Sequence, residues 1–136
     1  MVIFLDSNII LDILIPNPQF CAESKKVISV AKGNKDELYI SAASITDIFY
    51  IAKKALKSIE KTKNIIKKIL IVVSVAGVDE QCIISALDSA WSDFEDSVQN
   101  QVAQQIRADY IITRNTKDFK NSGIRAISPS EFLDIR

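Results

Sequence analysis

Short apolar runs alternate with longer stretches of helical periodicity along this chain, and that alternation limits the fold more than any other feature. Met1 to Leu5, Leu38 to Ser41, Ile71 to Val75, Tyr110 to Thr113 and Arg125 to Ile127 have the length and residue type of covered strands. A helix is expected from about Ser7 to Ile15, where Pro16 and Pro18 stop it, and another from Cys21 to Ala31, closed by Gly33. From Ser44, the residues Ile45, Ile48, Phe49, Ala52 and Leu56 define one apolar helix face. Further helices are predicted over Ile59 to Leu70, Asp79 to Leu87, from near Ser92 to Ile106, and from Pro129 through Leu133. Ser92 with Glu95 makes a capping-box pattern at the start of the Ser92 helix. Strands that alternate with helices predict an α/β fold with a central parallel sheet covered on both faces. Ligands of such sheets bind beyond the carboxyl ends of the strands. Asp6 directly follows the first run and Asp118 lies in the loop after Tyr110 to Thr113, so both are expected at that edge.

Composition narrows the chemistry. With 136 residues, 48% of them hydrophobic, the chain fits a single domain over 1–136 with one well-packed core. Only three glycines and three prolines predict short loops and abundant helix. There is no histidine, which removes Ser-His-Asp hydrolysis, Cys-His proteolysis, histidine-ligated zinc and histidine general-base ribonuclease chemistry together. Cys21 and Cys82 match no metal-binding spacing, and no apolar run approaches the ~20 residues that span a bilayer. A cytoplasmic protein with reduced thiols is expected, without a membrane anchor. The formal charge is zero. Even so, seven lysines (Lys53, Lys54, Lys57, Lys61, Lys63, Lys67, Lys68) crowd one segment against Glu60 alone. A solvated helix face is the favoured reading there, a phosphate-binding patch the alternative.

What remains for catalysis is carboxylate. Phe94, Val98, Val102 and Ile106 form a stripe at four-residue steps, with Asp93, Asp96 and Asn100 on roughly the opposite face. Taken alone, that face would be water-facing polarity that complements the positive helix start. Asp47 lies early in its helix and off the apolar stripe, again open to a dipole role. A carboxylate that abruptly ends a buried strand, as Asp6 does, needs partners or a metal. Asp12, farther along, is expected to be structural. Asp118 alone would pass for a turn or capping residue. If these acids gather, their repulsion calls for cations, and hard oxygen ligands select Mg2+ or Mn2+.

At this point the chain resembles the PIN-domain family, in particular the toxin-like ribonucleases of VapBC modules. The resemblance rests on FLDSNIILDIL (Phe4 to Leu14), ISAASITDIFYI (Ile40 to Ile51), DFEDSVQNQVA (Asp93 to Ala103), ADYIITRNTKDF (Ala108 to Phe119) and the tail GIRAISPSEFL (Gly123 to Leu133). The segments span nearly the whole chain in the family's order. The resemblance implies a three-layer α/β/α sandwich and metal-dependent endonucleolytic cleavage of single-stranded RNA. It also implies a homodimer and a cognate antitoxin that blocks the cleft. Asp6, Asp47, Asp96 and Asp118 resemble the acidic quartet, with Asp6, Asp93, Asp96 and Asp118 as metal ligands. Asn8 would orient the first carboxylate. Thr113 and Asn115 would line the cleft, and Arg114 would contact phosphate or serve packing. Asp47 stands where the family often has glutamate and Asn115 where many relatives have aspartate, so one firmly bound ion is expected. Those two departures also leave room for a catalytically weak nucleic-acid-binding module. A phosphatase of the haloacid-dehalogenase type ranks lower, because Asn8 stands where it would need a second aspartate.

Overall fold

The structure, a computed structural model, describes residues 1–136. Five strands, β1 (Val2–Leu5), β2 (Glu37–Ser41), β3 (Ser74–Ala76), β4 (Tyr110–Ile112) and β5 (Arg125–Ile127), form one parallel sheet in the order β3-β2-β1-β4-β5. Seven helices connect and cover them: α1 (Ser7–Leu14), α2 (Cys21–Gly33), α3 (Ala42–Leu56), α4 (Ile59–Ile69), α5 (Glu80–Asp88), α6 (Phe94–Gln105) and α7 (Pro129–Ile135). A short 3-10 turn spans Thr116–Phe119. None of the helices is long and apolar enough to cross a membrane.

Strand alternation sorts the core into two layers. Ile3 and Leu5 of β1, Leu38 and Ile40 of β2, and Ile112 of β4 face a cluster completed by residues of α1, α2, α3, α4 and α7. Phe4 and Ile111 point the other way, into a second cluster with Cys82, Ala86, Val98, Val102, Ala103 and Phe119. The expected α/β/α sandwich is therefore present, with α5 and α6 on one side of the sheet.

Two expectations need correction. The run Ile71 to Val75 is strand only in its last two residues, and the pairing starts at Ser74. The amides of Ile71, Val72 and Val73 are bonded to Lys68 and Ile69 carbonyls in the turn that closes α4, so they cannot join the ladder. Ile71 is consequently 80% exposed despite its β-branched side chain. The predicted cap of α6 also moves: Asp93, not Ser92, is the N-cap, and its carboxylate accepts from the Asp96 amide at 2.9 Å.

Strand order reverses at β1, which pairs with β2 on one side and β4 on the other. The crevice beyond the carboxyl ends of β1 and β4 is the place where such sheets hold ligands.

Candidate active site

Asp6 sits in that crevice. The strand brings it there and its backbone keeps it there, because its amide donates to the Ile112 carbonyl of β4 at 3.0 Å. It occupies the N-cap position of α1 but makes no side-chain cap bond. Its carboxylate is instead taken up elsewhere. Thr113 Oγ1 donates to Oδ2 at 2.7 Å and Asn8 Nδ2 to the same oxygen at 3.0 Å. On the other oxygen, Oδ1, Gln99 Nε2 donates at 3.1 Å. The Ser7 hydroxyl lies 3.3 Å from that oxygen and 3.5 Å from Glu95 Oε1, and its single proton serves one of them at a time. Asp6 is 5% exposed, and every group bonded to it is neutral. Asn8 and Thr113 thus stand beside the first acid. Thr113 also accepts from the Asn115 amide at 3.0 Å, while Asn115 itself is exposed.

Helix α6 carries the next acids. The reading of a water-facing polar stripe fails here, because Ser97, Val98, Gln99, Asn100, Val102 and Ala103 are all buried. The α6 helix is wedged between sheet and loops, and most of its buried polar atoms are bonded internally: Ser97 Oγ donates to the Phe94 carbonyl and Asn100 accepts from Ser122 Oγ and Gln104 Nε2, while Gln99 Oε1 is left without a partner. Phe94, the first residue of the apolar stripe, is instead 47% exposed. Gln99 is a side chain of the cluster that the sequence reading missed. Its amide nitrogen lies 3.1 Å from Asp6 Oδ1 and 3.5 Å from Asp96 Oδ1, so it bridges two carboxylates. Its place one helical turn after Asp96 was the signal that could have found it.

The electrostatics follow from this crowding. Burial, then the charges of Asp6, Asp93, Asp118 and Glu95, push the Asp96 carboxyl up to about 7. Glu95 is raised as well, by burial and then by Asp47, Asp6 and Asp93, with the Ser7 hydroxyl pulling the other way. The residue as a whole is exposed, so the desolvated part is the carboxyl turned toward Ser7. Glu95 therefore belongs to the cluster, where the sequence suggested only a capping role. Asp47 is exposed on α3 and lines a hollow of about 290 Å3 with Ser7 and Glu95. On the other side of α6, Asp93, Asp96 and Asp118 line a cavity of about 380 Å3. Asp118 reaches it from the 3-10 turn and is exposed.

Arg114 turns away from the acids. Its Nε lies 2.7 Å from Asp12 Oδ2, off line for a hydrogen bond, and Nη2 donates to Oδ1 at 3.3 Å. The guanidinium stacks on Phe20, 4.3 Å from the ring centroid. This arrangement gives Asp12 a counter-ion and ties Arg114 to Asp12 and Phe20, while Arg114 also borders a hollow with Asn115 and Asp118.

No group of three acids converges at metal-binding distance. The donor set nevertheless fits a hard divalent cation: carboxylate oxygens alone, drawn from three parts of the chain, with the Asp96 carboxyl raised by burial and by its acidic neighbours and no positive charge to offset them. The Gln99 amide occupies the point between Asp6 and Asp96 where a bridging positive group is most needed.

Comparison with known proteins agrees with this fold. The family model described as the PIN domain matches residues 2–117. Ribonuclease VapC1 of Aquifex aeolicus (strain VF5) is 28% identical over 137 residues, covering 97% of this chain and 93% of its own. Among solved structures, VapBC2 from Rickettsia felis bound to a promoter DNA fragment aligns with a TM-score of 0.73 and 16% identity, over 94% of this chain and 98% of that one. VapBC-1 from nontypeable Haemophilus influenzae aligns with a TM-score of 0.68 and 20% identity, over 96% and 99%. On the family match across most of its length and the shared fold, the chain belongs to the PIN domain family.

Proposed function

We propose that this chain is a metal-dependent endoribonuclease that cleaves single-stranded RNA and serves as the toxin of a VapBC-type module. The observation that carries this reading is the Asp96 carboxyl, driven up to about 7 by burial and four surrounding acids at the switch point of the sheet. Such crowding has no structural benefit, and a bound cation would relieve it. Its sequence relative, a ribonuclease, supports the activity. The toxin–antitoxin architecture of its structural neighbours supports an antitoxin partner.

Asp6, Asp96 and Asp118 would hold the ion, Mg2+ or Mn2+, with Asp93 beside them and Asp47 at the rim with Glu95. When bound, it would polarise the scissile phosphate and ease deprotonation of an attacking water. The chain's own contribution is orientation. Asn8 and Thr113 fix Asp6 through Oδ2, which leaves Oδ1 turned toward Asp96 across the Gln99 amide. A homodimer acting in the cytoplasm through one nuclease domain over 1–136 completes the proposal. The exposed Tyr50, Ile71 and Leu87 supply apolar surface for partner chains.

Asp6→Asn and Asp96→Asn should each lower cleavage of single-stranded RNA by more than about 100-fold while the fold persists, because a ligand counts for at least as much as the groups that orient it. Chelator should abolish wild-type activity, and Mg2+ or Mn2+ should restore it. Cleavage that survives chelation, or that both variants retain, would end the metal-nuclease reading. The absence of three converging acids favours a second reading, a PIN-fold binding module. RNA binding without cleavage in either metal would select it.

A further inference from the structure

The acids have basic and aromatic neighbours that the proposed chemistry leaves unused. Trp91 lies in the link between α5 and α6 and lines the same cavity of about 380 Å3 as Asp93, Asp96 and Asp118. That volume falls within the ~300–1,000 Å3 typical of small-ligand sites. The indole is backed by Phe119, with ring centroids 5.7 Å apart and planes at 72°. Phe119 is 2% exposed and covers at most one face of the indole, so the plate is braced from below. Lys117 and Lys120 line the cavity as well. They stand three residues apart around the 3-10 turn, a spacing that puts them on one side. Neither forms an ion pair, although acids share their cavity. Asn121 adds a polar amide to the same lining.

A braced aromatic plate, two unpaired ammonium groups and an adjoining carboxylate cluster match the parts of one nucleotide. The base presents a π face, the phosphate needs cations, and the bond to be cut lies near the acids. The lysine-rich α4 has more charge but no aromatic residue and no cavity beside it. We infer that Trp91, Lys117 and Lys120 form a nucleotide subsite in which an unpaired base stacks on the indole and its phosphate lies against the two lysines. The inference rests on the nuclease reading for its substrate class and adds where one nucleotide sits. Stacking makes the subsite tolerant of base identity, because every base offers a π face.

Trp91 is the single tryptophan of the chain, so its emission reports the subsite directly. The full chain, in chelator, is titrated with a short single-stranded RNA and with an abasic oligonucleotide of equal length and charge. The RNA should quench Trp91 and bind roughly 5- to 150-fold more tightly than the abasic strand, the range expected for one stacked base. Trp91→Leu should weaken RNA binding to the abasic level, and Trp91→Phe should stay within about threefold of wild type. Lys117→Gln with Lys120→Gln should lower the salt slope of binding by about 0.7, the value for one neutralised phosphate of a single strand. Equal binding of both strands with unchanged emission overturns the subsite. So does a folded Trp91→Leu chain that binds RNA within twofold of wild type. If Trp91→Leu does not fold, the wild-type abasic comparison and Trp91→Phe still decide. Quenching without cleavage in Mg2+ or Mn2+ leaves the subsite standing and removes the nuclease. Cleavage without quenching does the reverse.

Discussion

Two aspartates belong to the first helix, Asp6 at its N-cap and Asp12 in its second turn, six residues apart and almost equally buried at 5% and 4% exposure. The protein treats them in opposite ways. Asp12 is matched with a permanent cation, Arg114, which is itself held on the face of Phe20. Asp6 receives only neutral donors from Thr113, Asn8, Gln99 and Ser7, and its charged neighbours are acids. An internal cation would have stabilised Asp6 and consumed its charge. Neutral donors hold a carboxylate in place and leave that charge for something else to bind. Burial alone therefore does not decide whether an acid's charge is spent inside the protein; the kind of partner does.

The comparison breaks most sharply at Asp12. Asp12→Ala strands the Arg114 guanidinium, 28% exposed, without its counter-ion. A stability loss of roughly 2–4 kcal/mol by urea denaturation is expected, somewhat under the cost of opening a fully buried pair. RNA cleavage by the folded fraction should stay within a few-fold of wild type, the reverse of Asp6→Asn. Loss of activity without loss of stability would mean that Asp12 belongs to the site after all.

Thr113→Val tests the neutral side. It removes the shortest donor to Asp6, at 2.7 Å, from a fully buried position while keeping the shape of the residue. Metal affinity, followed by calorimetry, should fall by about 10- to 100-fold, with a stability cost of about 1–3 kcal/mol. An unchanged affinity would reduce Thr113 to packing.

The smallest effect is in pH. The folded-state carboxyl of Asp96 lies near 7, above its ordinary 3.8, so the folded chain holds the extra proton between those values. Metal-free stability should therefore fall as pH rises from about 4 to about 7, and level off above. Asp96→Asn should flatten that slope without erasing it. Asp12 is raised too, since burial outweighs the opposing Arg114 charge and hydrogen bond. Melting curves in chelator that are identical for wild type and Asp96→Asn across this range would contradict the crowding at α6.

Elements were easier to read than partnerships. Short apolar runs located the strands because the central ones are covered on both faces, and the strand-end position of Asp6 followed from that alone. The start of β3 escaped because the competition between a helix-closing turn and a ladder is decided by backbone bonds, which hydropathy does not encode. Gln99 and Asn100 escaped because a helix buried nearly all round looks, in sequence, like one with a wet face. The Asp12–Arg114 pair joins residues about a hundred positions apart, and no local pattern announces it. Glu95 was visible as a third acid beside Asp93 and Asp96, yet only the fold reveals that it reaches toward Asp47 and Asp6.

The parallel order of the sheet also sets when the cluster can exist. The long-range bonds that hold Asp6 come from Gln99 and Thr113, 93 and 107 residues downstream. They close only after β4 docks against β1, a late and non-local event of the kind that slows folding. A chain still emerging from the ribosome thus carries Asp6 for most of its synthesis with neither of those donors in place. Asp6 therefore gains its fixed geometry only once the chain has been made through Thr113, and until then its carboxylate is held by local donors alone.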